Sequence, residues 1–200
     1  ALAEKVVLMF LAIGLVVVVW KAGKRVQQFI DKKFYRAQYD YRRAASELAE
    51  VMATKLTMAD LARGMVEKLA ELIQLKRAGV LFFRGQKECC CQEAQGFDGG
   101  AWKNYCLTTG DHLVKAIQQF QGEFSVDYLP ADIKEQFRES GFLYIVPIRS
   151  KDTLVGAILV GEKLSEATYQ HEDLEFLAAV AKQASVAIEN AFLYEELAEQ

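Results

Sequence analysis

The rhythm of apolar and polar positions changes three times along the chain. Val6 to Trp20 is an unbroken apolar run, VVLMFLAIGLVVVVW. From Val26 to Leu56 there is no Pro or Gly, and apolar or aromatic residues recur at Val26, Phe29 or Ile30, Phe34, Tyr41, Ala45, Leu48, Met52 and Leu56. Steps of mainly 3, 4 and 7 predict a long helix with a seam for a partner helix. Beyond it the pattern shortens. Thr57-Met58-Ala59-Asp60 is a capping signal for a helix to about Leu75, with Leu61, Met65, Leu69, Leu72 and Ile73 on one face.

Ala78–Phe83 reads as a buried strand, and Glu88–Gln95 as a second, reached through the turn Gly85-Gln86-Lys87. Residues 96–110 read as a loop and Asp111–Gln121 and Pro130–Ser140 as helices. Phe142–Ile148 and Leu154–Gly161 are short, β-branched and joined by a polar turn at Ser150 to Thr153. Pro147 cannot donate to a ladder, so it belongs at a bulge or an edge-facing position. A helix start at Thr168 to Asp173 opens a last helix whose apolar face carries Leu174, Leu177, Val180, Ala181, Ala184, Val186, Ala187, Ile188 and Ala191. The expected fold class is α+β: an antiparallel sheet with helices on both faces, preceded by a transmembrane helix and a long linker helix.

The first run has the composition of a membrane span. Continued to Ala22 as a helix it is about 26 Å long, against a hydrocarbon core of about 30 Å. Lys5 and Lys21 can snorkel and Trp20 suits the interface. From Lys21 to Arg43 there are eight Lys or Arg and only two acids, Asp31 and Asp40. That cluster predicts that residues after Lys21 lie in the cytoplasm, with the protein in the inner (cytoplasmic) membrane and its basic helix against the lipid bilayer. The aromatics Phe34, Tyr35, Tyr39 and Tyr41 beside Arg36, Arg42 and Arg43 fit the same setting, and a net charge of −3 gives no case for nucleic acid. The chain starts at Ala1 and ends inside an apparent helix, so a longer protein is expected.

Four cysteines, Cys89, Cys90, Cys91 and Cys106, lack disulfide-framework or zinc spacing. Alternation in a strand puts Cys89 and Cys91 on one face and Cys90 on the other, with Cys106 and His112 in the same region, so a redox or metal sensor is an alternative reading. No catalytic residues and no metal ligands are assigned, because no nucleophile–base set, phosphate-cradling glycine loop or paired-carboxylate motif stands out. Cofactors are left unassigned.

Residues 57–194 resemble a GAF domain, through LYIVPIRSKDTLVGAILVGEK and YQHEDLEFLAAVAKQASVAIENAFLYEEL. FYRAQYDYRRAASELAE resembles the membrane-proximal helix of bacterial sensor histidine kinases and of related phosphatases and cyclases. Taken with the apolar run and the helical spacing before it, the expected organisation is a transmembrane helix at 1–22, a helical signalling linker at 23–56, a sensor domain at 57–194 and the start of an output-linking helix at 195–200. The resemblance implies a non-enzymatic sensory segment that relays ligand or membrane input to a downstream output domain, most simply a histidine kinase. It also implies a homodimer through linker and exit helices, with Ala179, Ala187, Ala191, Leu193 and Leu197 as exit-helix contacts. A ligand-free dimerisation module is the alternative. An enzyme like the free methionine sulfoxide reductases, which use this fold, is a third reading, although the cysteine spacing does not match.

Cyclic-nucleotide-binding members carry a spaced Asn-Lys-Phe-Asp-Glu signature. Here Lys163, Tyr169 and Asp173 fit its spacing, but Glu162 stands where Asn would be. We therefore expect Lys163 and Asp173 to form a structural ion pair tying the last strand to the exit helix. An unidentified small-molecule ligand would sit between the sheet and residues 96–140. Phe83, Cys91, Phe97, Trp102, Tyr105, Phe120, Phe124, Tyr128, Ile145 and Ile158 are the expected lining, an aromatic set suited to an apolar or planar ligand.

Overall fold

A computed structural model describes residue 41 and residues 43–84, 88–96 and 105–198. The apolar run Val6–Trp20, the linker up to Asp40, and Phe97 and Trp102 lie outside the described residues. Residues 43–54 form helix α1, followed by α2 (Met58–Ile73), β1 (Ala78–Arg84), β2 (Glu88–Gln95) and α3 (Tyr105–Gln118). Then come β3 (Phe124–Ser125), a single 3-10 turn (Val126–Tyr128), α4 (Ala131–Glu139), β4 (Phe142–Ser150), β5 (Thr153–Gly161) and α5 (His171–Ala198).

The five strands form one antiparallel sheet in the order β2-β1-β5-β4-β3. Side chains alternate across it. One face holds Leu81, Phe83, Ile145, Ala157 and Leu159, packed with Leu113 and Ile117 of α3 and Ile133 and Phe137 of α4. α2 and α5 touch each other and cover the other face, burying Leu61, Met65 and Leu69 from α2 and Phe176, Leu177, Val180, Ala184 and Ile188 from α5. The expected α+β class and the placing of helices on both faces describe the fold.

Thr57 caps α2 as its sequence signal predicts: its hydroxyl accepts the Asp60 amide at 3.2 Å and donates to the Asp60 carboxylate at 2.8 Å. Pro147 also finds the expected setting. β3 pairs only with Tyr144 and Ile145, so that side of β4 is open at Pro147, and the register shifts just after it, between Ile148 and Arg149. Gly141 ends α4 at φ +70, where a Cβ would strike the Arg77 guanidinium.

Three expectations change. α3 starts at Tyr105, inside the stretch read as loop, and carries Gly110 in its first turns. A helical Gly costs about 1 kcal/mol, which burial of Leu113, Val114 and Ile117 outweighs. The linker helix, over its described part, stops at Thr54 and does not run on to Leu56. Its stripe Ala44, Leu48 and Met52 is buried within this chain. Val51 packs on Gly64, where a Cβ would lie 3.0 Å away, and Glu47 pairs with Lys68 at 3.1 Å. Glu47, then Glu71, hold the Lys68 ammonium above its ordinary pKa. The compact unit containing the sheet accordingly runs from Ala44, whereas Leu56, a predicted seam position, is exposed. On α5, Ala191 is buried in its own chain and so cannot meet a partner, and Val186, placed on the inner face by its pattern, points to solvent.

Candidate functional site

The expected lining residues part company in the fold. Phe83, Phe124 and Ile145 are buried together in the core over the α3/α4 face, and Phe120 packs against them. Phe120 stacks on Phe124 with ring centroids 3.8 Å apart. Tyr128 lies in the 3-10 turn, 71% exposed, with its ring 6.4 Å from Phe120. Ile158 is buried on the opposite face, since its neighbours Ala157 and Leu159 are the ones in this core. Cys91 lies on β2 and Tyr105 opens α3. Phe83, Phe124 and Ile145 are thus packed core with Phe120 against them, Tyr128 stands outside on the surface, and Ile158 lies on the other face.

The polar geometry gathers elsewhere, where β5 hands over to α5. Lys163 and Asp173 form the expected ion pair at 2.5 Å, with side chains only 12% and 2% exposed. Asp173 also accepts the Gln170 amide at 2.7 Å, so the third residue of α5 reaches back to the residue before the helix. Lys163 stands 5.1 Å above the Tyr169 ring, which tilts against Tyr144 at 5.1 Å. The Tyr169 hydroxyl donates to the Gly161 carbonyl at 2.6 Å. Burial, then the Asp173 carboxylate and Tyr144, push the Tyr169 phenol far above its ordinary pKa, so it remains a neutral donor.

Around this knot lies an open cleft of about 510 Å³, with Leu143, Tyr144, Glu162, Glu166, Thr168 and Tyr169 in its wall. Lys76 pairs with Glu162 at 3.0 Å and Glu166 at 3.2 Å, which raise its pKa in that order. The lysines are therefore already satisfied by acids. That arrangement fixes a strand to a helix, as expected of Lys163 and Asp173, and among the described residues of the cleft it leaves neither lysine free for an anionic ligand. Among the described residues no cluster of His, Cys, Asp and Glu has the geometry to hold a metal ion. Sequence reasoning found Lys163, Tyr169 and Asp173 but missed Leu143 and Tyr144, whose place beside them depends on a register shift in β4 between Phe142 and Tyr144.

α5 is long and apolar enough by composition to cross a membrane, but its inner face is packed on the sheet. Comparison with curated proteins gives no match. Solved structures do match. The GAF domain of a phosphoenolpyruvate-protein phosphotransferase from Coxiella burnetii superposes with a TM-score of 0.61 at 10% identity, over 80% of this chain and 98% of that one. Residues 122 to 287 of a methyl-accepting chemotaxis protein superpose at 0.55 with 18% identity, over 73% and 97%. A domain assigned to a two-component sensor histidine kinase of Sinorhizobium meliloti 1021 superposes at 0.50 with 12% identity, over 70% and 96%. At these identities the likeness is one of fold. The family model for the GAF domain matches residues 57–190. Because that match takes in the sheet, the helices of both faces and the β5–α5 junction together, the chain belongs to the GAF domain family.

Proposed function

We propose that this chain is the sensory and regulatory segment of a membrane-anchored, dimeric signalling protein, with α5 carrying the signal toward an output domain such as a histidine kinase. A sensory and regulatory role is the one the GAF domain family supports for this segment. The observation that carries the reading is the outer face of α5. Ala179, Gln183, Val186, Asn190, Leu193 and Leu197 follow one another at alternating steps of four and three, and all six are exposed. Val186, Leu193 and Leu197 are 57%, 58% and 70% exposed, on a helix whose opposite face is buried.

Such spacing is the seam of a two-stranded coiled coil, and Asn190 falls at a core position of it. In a parallel pair Asn190 meets its own counterpart, and the two amides hydrogen-bond. An antiparallel pair sets it against Val186 or Leu193 and leaves a polar amide unmatched. A parallel pair carries both exit helices in one direction, as a relay to a shared output requires. Ala179, Leu193 and Leu197 remain as proposed contacts, and the membrane anchor rests on Val6–Trp20 and the basic residues after it.

The test uses the full chain in lipid nanodiscs, with spin labels at position 193 in a cysteine-free background. A short interspin distance that lengthens in Leu193→Lys and Leu197→Lys companions labelled at 186 is expected. Absence of any dipolar coupling overturns the dimer, and release of the chain from membranes by alkaline carbonate overturns the anchor. One observation favours a second reading, a ligand-free assembly module: the described lining residues Phe83, Phe124 and Ile145 are packed core. Calorimetry against a metabolite panel separates the two, since a binder whose heat is lost in a core-filling variant excludes pure assembly.

A further inference from the structure

Where β3 ends, the edge of β4 is open, and Arg149 turns around it. Its Nη2 donates to the Gln118 carbonyl at 2.9 Å and the Phe120 carbonyl at 2.8 Å, at the C-terminal end of α3. Nη1 has a long contact of 3.4 Å to the Asp152 carbonyl. Nε is buried and has no acceptor among the described residues. Every partner is a neutral carbonyl, so the guanidinium charge is not balanced by an acid. A buried donor left without an acceptor is destabilising, and buried charges are ordinarily paired.

The same side chain lines a groove of about 160 Å³ between β4 and α5. Lys182 of α5 is in its wall and pairs with no acid among the described residues. Val146, Pro147, Ala178 and Ala181 supply apolar lining, and Glu123 is part of the lining too. Two unneutralised cations beside a short apolar lining select one negative charge with a small aliphatic tail. Glu123 opposes a second negative charge and so works against polyphosphates and dicarboxylates.

We propose that this groove binds a small aliphatic monocarboxylate. The carboxylate pairs with the Lys182 ammonium beside the uncompensated charge of the Arg149 guanidinium, and the tail lies on Val146, Ala178 and Ala181. Arg149 already holds the end of α3, so an occupied groove links α3 to α5 across the sheet edge. This site is separate from the β5–α5 cleft and from the outer seam of α5.

The probe is sodium butyrate, followed by thermal melting of the full chain in detergent, with 1-butanol and inorganic phosphate at matched ionic strength as comparisons. Butyrate should raise the melting temperature saturably, 1-butanol should not, and phosphate should act at least tenfold more weakly. Ala178 is exposed, so Ala178→Phe fills the groove without touching the core and should abolish the response. Lys182→Glu should weaken it at least tenfold, and Arg149→Gln, which removes the guanidinium charge, should weaken it too. Should Arg149→Gln fold poorly, the other two variants decide alone. A response that does not saturate, or that survives in Ala178→Phe and Lys182→Glu, overturns the site. Phosphate matching butyrate with the same variant pattern overturns the monocarboxylate assignment.

Discussion

The core over the α3/α4 face and the junction between β5 and α5 are built from opposite materials. The first is side-chain hydrocarbon: Phe83, Phe137, Phe142, Leu113 and Ile117 are at most 1% exposed, with Phe137 and Phe142 rings tilted at 6.1 Å. The second is a polar knot in which Lys163, Asp173, Tyr169 and two main-chain groups satisfy each other. Apolar packing is non-directional and tolerates small shifts, so it stores stability. The knot depends on angle and distance, so it fixes the start of α5 in one place on the sheet. The first region makes the body of the domain, and the second attaches the last helix to it.

The sharpest way to break that contrast is to damage the hydrocarbon side. Phe137 is 0% exposed, and truncating a buried phenylalanine costs about 3–5 kcal/mol. Phe137→Ala should lose about 4 kcal/mol by urea unfolding, with exchange protection falling in the core strands more than at the start of α5. Loss of protection at Gln170–Leu174 equal to that in the core strands would show instead that the two regions are one cooperative unit.

The knot should respond in the converse way. Asp173→Ala leaves the Lys163 ammonium only 12% exposed without its acid and the Gln170 amide without its acceptor. Removing one partner of a buried pair costs about 3–5 kcal/mol, and Lys163 keeps its place over the Tyr169 ring, so about 3 kcal/mol is expected. The double replacement Lys163→Met with Asp173→Leu should recover part of it, because no charge is then stranded. The informative readout is amide exchange, where the first turns of α5 should open in Asp173→Ala and the core strands should stay closed. Equal deprotection everywhere would remove the distinction between body and clamp.

What was readable in the sequence follows the same division. The β4–β5 hairpin is legible because its apolar runs are contiguous and its turn is polar, with Lys151 at φ 54 in the two-residue bend. The Lys163–Asp173 pair is legible because a short loop brings the two together. Long-range placement is not. Ile158 and Ile145 are both β-branched strand residues, and only the pairing of β4 with β5, which sets Ile145 against Leu159 and Ile158 against Val146, shows that they take opposite faces. Tyr128 reads as lining by its chemistry, yet a 3-10 turn capped by Ser125 turns it outward. β3 is two residues long, too short to make a pattern. Arg149 had a signal, one charge ending an otherwise apolar strand, but its partners come from α3, about thirty residues earlier.

The smallest effect tests the junction through pH. Burial first, then the Asp173 carboxylate and Tyr144, raise the Tyr169 phenol, while in the unfolded chain it titrates near its ordinary value of about 10. The folded state therefore favours the neutral phenol. Its contribution is complete below about pH 10 and is lost as the pH climbs from there toward the folded pKa. Wild-type protein should lose stability in that alkaline window. Tyr169→Phe should show less of that loss, after an initial cost of about 1 kcal/mol for the bond to the Gly161 carbonyl. Tyr144 lies against the same ring and is half-buried, so Tyr144→Phe is the control that separates a phenol at the strand from the phenol in the knot. Ultraviolet titration gives the independent reading: one tyrosine of the folded wild type should ionise far later than the others, and that late step should vanish in Tyr169→Phe alone. An unchanged titration in Tyr169→Phe would mean that the hydroxyl is wet, and that the strand-to-helix clamp consists of the ion pair by itself.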